Sequence, residues 1–191
     1  MLDRVLNFLK DRLNSYLRVK TGADAFDVVF VRERTQKEIT FPKEALSLIL
    51  VNIEEEQTFR SGAAYERRGN GQLSVNSTTP PYLYLNLYIL VAANFSDYSQ
   101  SLKLLSLIVS YFHSYRLFDR QNFPTLSSGI EKLTLELVSL PFAEQRDIWN
   151  LLGNPYLPSV LYKVRMIAFE NLDALEVGAD VIKTDEFASL L

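Results

Sequence analysis

The sequence predicts an α+β domain built on a single mixed or antiparallel sheet with packed helices. Three observations predict it. Segments with strand-type alternation outnumber segments with helical periodicity. The helices are not interleaved one for one with the strands, as a doubly wound fold requires. The 191 residues, 48% hydrophobic and 23% charged, suffice for one domain with a sizeable core and are too apolar for wholesale disorder.

The chain opens on an amphipathic helix. Leu2, Val5, Leu6, Leu9, Leu13 and Leu17 recur at helical spacing, Arg4, Lys10, Asp11 and Asn14 fall between them, and Gly22 provides a stop. "DVVFVRERT" begins a short strand at Asp27 that turns charged at Arg32, Glu33 and Arg34. "LSLILVNIEEE" is apolar on both faces as far as Glu54, which predicts a central strand covered on both sides. Residues 57–81 are polar and glycine-bearing, with a hairpin signal at Asn70-Gly71 between "AYERR" and "QLSVN". A connection this long inside a compact domain is functional, disordered or an arm. Pro80-Pro81 then forces an extended entry into the next strand.

That strand places Leu83, Leu85, Leu87, Ile89 and Val91 on one face and Tyr82, Tyr84, Asn86 and Tyr88 on the other. The tyrosine face keeps polar tips suited to an interface or a wet boundary. Ser96 is placed to cap a long helix with a stripe of Tyr98, Leu102, Leu105, Val109 and Phe112. "KLTLELVSL" alternates, with Leu133, Leu135 and Leu137 on one face. Pro141 suits a first helical turn, and a short helix carries Ile148, Trp149 and Leu152 to a stop at Gly153. "SVLYKVRMIAF" is a last strand, with Val160, Tyr162, Val164 and Met166 opposite Leu161, Lys163, Arg165 and Ile167. The folded unit is expected to span residues 1–170. Residues 171–191 read as an acidic tail with no clear period, ordered only against a partner or a neighbouring subunit.

Charge and composition narrow the function. A net charge of −3 lacks the basic surplus of a nucleic-acid binder. No cysteine is present, which removes disulfides, thiolate metal sites and cysteine nucleophiles together. The first helix is interrupted by charge every few residues, unlike a secretory signal. The longest apolar run, residues 82–93, is about half of the roughly 20 residues a membrane helix needs. The expectation is a soluble protein assembled in the cytoplasm, with neither membrane nor nucleic acid as partner.

Chemistry-bearing residues are sparse. The single histidine, His113, falls near the end of the long helix with no second histidine or cysteine to complete a metal site. Gly62, Gly69 and Gly71 do not follow a strand or open a helix, as a phosphate loop requires. Trp149 has the spacing of a core anchor. Glu54, Glu55 and Glu56 remain. In a strand, Glu54 and Glu56 share a face and Glu55 opposes them. Paired carboxylates could hold Mg²⁺ for a nuclease-like enzyme. The same residues could be the point where a strand leaves the core, with Arg60 or Arg32 as partner, or a protein interface. The third acid and nearby lysine of a nuclease have no recognised spacing here, so no catalytic, metal or cofactor residue is assigned. The short basic patches "RER" and "ERR" each contain a glutamate and read as solvated or inter-subunit.

Three segments, in order, carry a resemblance: "LILVNIEEEQTFR", "PPYLYLNLYILVAANFSDYSQSLKLLSLIVSYFH" and "IEKLTLELVSLPFAEQRDIWNLLGNPYLPSVLYKVRMI". Together they resemble the tail-terminator or cap family of contractile injection systems, phage-tail-like particles, whose domain was first catalogued as one of unknown function. The resemblance implies a tail-terminator-like fold and a structural, non-enzymatic role. It further implies a ring, typically hexameric, at the baseplate-distal end of the particle, with tube and sheath proteins as partners. The surfaces such contacts would use are Arg32 and Arg34, the Glu54, Glu55 and Glu56 strand end with Arg60, Arg67 and Arg68 of the polar connection, Tyr82 and Tyr84, and the acidic tail.

Overall fold

The computed structural model describes residues 1–22, 27–33, 39–56 and 82–169. Three helices and eight strands follow in the order α1 (Leu2–Thr21), β1 (Val28–Phe30), β2 (Arg32–Glu33), β3 (Ile39–Thr40), β4 (Ala45–Glu55), β5 (Tyr82–Asn94), α2 (Tyr98–Ser114), β6 (Leu117–Asp119), β7 (Ile130–Val138), α3 (Phe142–Leu151) and β8 (Ser159–Phe169). Six strands form one sheet in the order β1-β4-β5-β8-β7-β6; β2 and β3 form a separate two-stranded ribbon. Only β1 and β4 run parallel in the main sheet; β4 to β6 are joined by antiparallel pairs. The expected α+β sheet with packed helices is present. The charged end of "DVVFVRERT" does not continue β1: the strand stops at Phe30, and Arg32–Glu33 belongs to the ribbon.

Helices α1 and α2 share one face of the sheet, called the inner face here. The stripe of α1 is Val5, Phe8, Leu9, Leu13 and Leu17. It packs with Leu46, Leu48, Leu87, Ile89, Val91, Leu133, Leu135, Tyr162, Val164 and Met166 in one core. Aromatic rings join the helices to the short edge strand β6: Phe118 is fully buried, with Phe8 5.6 Å away edge-on and Phe123 at 4.7 Å. Gly22 ends α1 in the left-handed conformation (φ 65°), where its N–H reaches the Arg18 carbonyl at 3.0 Å; a side chain with a Cβ is strained there. Midway along α1, the Asn14 amide both donates to the Val28 carbonyl (3.1 Å) and accepts from the Val28 N–H (2.6 Å). These bonds satisfy backbone groups that an edge strand would otherwise leave open.

The stripe of α2 differs from the expected one. Ser101, Leu104, Leu105, Ile108, Tyr111 and Phe112 are buried, while Tyr98 and Leu102 are exposed. The helix is apolar around most of its circumference, and the small Ser101 is among its buried residues. The cap is Asp97, whose carboxylate accepts the Ser99 N–H. Ser96 instead donates its N–H to Glu44, 2.8 Å away, and its hydroxyl to the same carboxylate oxygen. Glu44 holds a positive φ of 55°, and its N–H donates to the Asn94 carbonyl at 2.7 Å. The corner entering β4 is thus fastened to the end of β5.

A second, smaller core lies on the outer face, at one end of the sheet. Trp149 of α3 and Leu152 just after it cover Ile49, Leu90, Ala92 and Leu161, and Phe41 joins them, its ring 5.4 Å from Trp149. Trp149 is the core anchor its spacing predicted. Strand β4 is an interior strand, paired with β1 and β5 and second from one edge; it is buried through Ile49 and exposed from Asn52 onward. Among the described residues no helix is long and apolar enough to cross a membrane.

Two outcomes follow. Leu133 is fully buried, whereas Leu137, four positions on, is 52% exposed. Leu133→Ala is expected to cost about 3 kcal/mol and Leu137→Ala under about 0.5 kcal/mol in urea unfolding. Glu44 has its carboxyl pKa held below 4.5, first by the Ser96 hydroxyl and then by the Ser96 N–H. A depressed folded-state pKa stabilises above the unfolded value, and that gain disappears as pH falls through the folded one. The Tm difference between parent and Glu44→Gln should therefore be present at neutral pH and close in acid below the ordinary glutamate range; an unchanged difference at low pH would contradict the assignment.

Candidate functional site

The end of the outer face not covered by α3 is polar, and the sheet register explains how. In β4, Leu46 and Leu48 point inward, and Leu50 still pairs with the inward Ile89. The register then shifts, so that Asn52 pairs with Tyr88 and Glu54 with Asn86. An extra residue in one strand reverses the alternation beyond it. Without the shift at Val51, Asn52 and Glu54 would share the inner face with Leu50. Strand β7 repeats the device: Ile130 pairs with the buried Ala168, then Lys132 pairs with Ile167. The shift at Glu131 sends Lys132 outward, while Leu133 remains inside.

The two shifts flank the regular β5–β8 pair. Across the outer face run Asn52 and Glu54 from β4, with Glu56 just beyond it, Tyr88, Asn86 and Tyr84 from β5, Lys163, Arg165 and Ile167 from β8, and Glu136, Thr134 and Lys132 from β7. Glu54 and Glu56 therefore do share a face. Their partners include β5 side chains: the Tyr88 hydroxyl donates to Glu54 at 2.9 Å and the Asn86 amide to Glu56 at 3.0 Å; the Arg32 and Arg60 side chains lie outside the described residues. Asn52 also donates to Glu54 at 3.2 Å. Burial, and then the bond to Glu54, push the Tyr88 phenol above its ordinary pKa. Farther across, Arg165 forms an ion pair with Glu136 at 3.3 Å, and Lys163 stands 5.9 Å from the Tyr88 ring centre.

A cleft of about 370 Å³ opens at this end, lined among others by Glu56, Tyr84, Asn86, Lys132, Arg165 and Ile167. Asn86 is 4% exposed. Its Nδ2 donates to Glu56 while its Oδ1 is buried without a hydrogen-bond partner. The group combines an apolar floor with separated charges and one open acceptor, which suits binding of a polypeptide. No group of three metal-type ligands occurs among the described residues.

Of the residues singled out from sequence, Glu54, Glu56 and Tyr84 come together here. Glu55 lies opposite Leu85. Arg32 is in the β2–β3 ribbon and Tyr82 pairs with Phe169, each described by its backbone alone. Arg34, Arg60, Arg67 and Arg68, with the polar connection and the acidic tail, lie outside the described residues. Asn86 and Tyr88 lie on the tyrosine face that the sequence assigned to an interface or wet boundary; Lys132, Glu136 and Arg165 were not named as site residues, and polar residues alternating within apolar strands were the available signal. His113 is exposed at the end of α2, 2.7 Å from Arg116.

This is an α+β domain with a helix-covered inner face and a partly open outer face. Residues 4–181 match the Pvc16 N-terminal domain, and the chain belongs to that family. No curated protein matches it. Among solved structures, it is similar to the PVC sheath/tube terminator of an extracellular contractile injection system, determined by cryo-EM in the extended state, with a TM-score of 0.56 and 19% identity. The alignment covers 90% of this chain and 57% of the other, so the chain spans somewhat over half of that terminator's length. The tail-terminator-like fold is thereby shown.

The outer-face hydrogen bonds can be weighed by substitution. Tyr88→Phe removes a donor to Glu54 and is expected to cost about 1 kcal/mol. Glu54→Gln keeps an acceptor oxygen and should cost less. The two urea midpoints check the order; equal midpoints would place no weight on the Tyr88–Glu54 bond.

Proposed function

We propose that this chain is a terminator subunit of a contractile injection particle. It joins others in a ring, hexameric on this reading, at the end of the tube farthest from the baseplate, where it stops tube growth and connects to or caps the sheath. The observation that carries the reading is the family match across residues 4–181, supported by a shared fold over 90% of the chain with a sheath/tube terminator. The role is structural rather than enzymatic. Glu54 and Glu56, already bonded across the sheet, act in a binding face and not as metal ligands. Assembly takes place in the cytoplasm, before the protein becomes part of the particle.

The physical requirement is asymmetry. Tube rings stack without limit because each end complements the next; a terminator matches the last ring on one side and does not repeat that surface on the other. Ring closure uses head-to-tail interfaces whose rotation closes, each burying on the order of 800 Å² per partner. The exposed apolar side chains Phe142, Leu151 and Tyr156 around α3 are the best-suited anchors for such contacts. The outer-face residues Glu54, Glu56 and Tyr84 and the arginines Arg32, Arg34, Arg60, Arg67 and Arg68 supply polar rims. On this reading the folded unit spans residues 1–170, and residues 171–191 are a separate acidic segment of the sequence.

Native mass measurement and negative-stain imaging test the reading, with the protein alone and mixed with purified tube or sheath fragments. Closed rings that decorate one end of the fragments are expected. A strict monomer that never marks a particle end would refute it.

A further inference from the structure

A second cleft, of about 390 Å³, lies between the C-terminal half of α2 and the β7 edge of the main sheet. Strand β6 pairs with β7 only across Lys132–Thr134. Beyond that stretch no strand lies against this edge among the described residues. Val109 and Phe112 of α2 and Leu135 and Leu137 of β7 form apolar walls. Leu137 is half exposed at the rim.

Two hydrogen-bond donors meet these walls. Tyr162 is 3% exposed, yet its hydroxyl makes no hydrogen bond among the described residues. The ring is held by Phe112, 4.8 Å away. Burial raises the Tyr162 pKa to about 12, so the hydroxyl keeps its proton at neutral pH and can donate it. A buried hydroxyl left unbonded is costly, and a ligand that bonds it recovers that cost. The second donor is Arg116. Its carbonyl accepts the Leu135 N–H at 2.8 Å, which fixes the residue beside β7. Its guanidinium lies 2.7 Å from the His113 Nδ1. Arginine can only donate, so Nδ1 is the acceptor in this contact. No carboxylate pairs with Arg116 among the described residues. The carboxylate at the rim, Glu136, is engaged by Arg165 at 3.3 Å. The cleft therefore combines one unneutralised cation, one unbonded buried hydroxyl and apolar walls.

We propose that this cleft binds a carboxylate carried on a short apolar stem, with the carboxylate on the Arg116 guanidinium and the Tyr162 hydroxyl and the stem against Phe112, Leu135 and Leu137. The planar guanidinium matches a carboxylate with two parallel bonds. Inorganic phosphate fits less well: it has no stem for the walls, and Glu136 at the rim opposes a second negative charge. A free acid and the carboxyl end of a polypeptide present the same chemistry. The site uses neither α3 nor Glu54 and Glu56, and the inference is independent of the terminator role.

Saturation-transfer NMR on the full chain tests it, with octanoate as the free acid and N-acetyl-leucyl-leucine as the polypeptide end. At least one should bind with a Kd on the order of 1 mM, the range for ligands of this size. Octanamide and N-acetyl-leucyl-leucinamide, which lack the charge, should bind about tenfold more weakly, as should either acid to Arg116→Gln. Tyr162→Phe should cost about threefold. Leu137→Asp places a carboxylate in the wall and should abolish the signal with the Tm unchanged. Arg116 and Leu137 are both exposed, so the test does not depend on substituting a buried residue. Tighter binding of octanoate assigns a free acid, and tighter binding of the dipeptide a polypeptide end. Binding of neither acid, equal binding of the amides, or binding unchanged in both Arg116→Gln and Leu137→Asp would overturn the proposal.

Discussion

The two register shifts, at Val51 in β4 and at Glu131 in β7, are the constraint on which the outer face depends. The side-chain period of a strand is two, so a regular strand cannot change which of its alternate residues face the core. Both β4 and β7 must do so. Each spends part of its length with Leu48 or Ile130 against the helices and then sends Glu54 or Lys132 outward. One extra residue accomplishes this at the cost of a local break in the ladder. Because the shifts lie on either side of the unbroken β5–β8 pair, carboxylates arrive on one flank and an amine on the other, with tyrosine, asparagine and arginine between.

The regular pair supplies what the shifted strands cannot. Strand β5 is paired along nearly its whole length on both sides, with Leu87, Ile89, Val91 and Ala93 inward. A slip of one residue would bring Tyr84, Asn86 and Tyr88 under α1 and α2. Burying their polar tips there without partners costs several kcal/mol by any transfer scale, enough to exclude the alternative register. The same alternation sets the boundary of the second core. Leu90 and Ala92 continue the Tyr84–Asn86–Tyr88 row, and there α3 places Trp149 over it. One row of β5 is thus apolar and covered at one end, polar and open at the other.

Much of this was legible in the sequence where a single rule applied over many residues. Alternation marked β5 and β8 and both of their faces, since each position answers to packing on one side alone. Helical spacing marked α1, and the Trp149 spacing marked an anchor. Failures occurred where two signals overlap or a signal is too short. With Leu102, Leu104, Leu105, Leu107, Ile108 and Val109 in succession, α2 offers several stripes, and only the sheet selects the one through Ser101 and Ile108. The strands β2, β3 and β6 have two or three residues, fewer than a period-two pattern needs to stand out. The register shifts carry no glycine or proline to announce them. The β5 partners of Glu54 and Glu56 are thirty or more positions away, at Tyr88 and Asn86, and belong to pairing that no local pattern encodes. The strand end is exposed from Asn52 onward, as an exit into solvent requires; what no local pattern shows is that Glu54 and Glu56 also flank a hydrogen-bonded row.

The distribution of cover over the two faces bears on the proposed role. A repeating assembly element has matched, equally furnished ends. This domain is unequal: α1 and α2 seal the inner face, while the outer face carries one helix and leaves charged and hydroxyl groups already engaged with one another. Pre-paired groups such as Tyr88–Glu54 and Arg165–Glu136 lose little when covered by another polypeptide, because their mutual bonds persist, and they discourage indiscriminate association because no large apolar patch is offered. Among the described residues the two most exposed large apolar side chains, Phe142 and Leu151, are both on α3, with the exposed Tyr156 just after it. Under the proposed role, the exposed Phe142 and Leu151 of α3 beside a polar sheet face provide two unlike contact surfaces. That is the minimum a ring needs to close on itself and still end a stack.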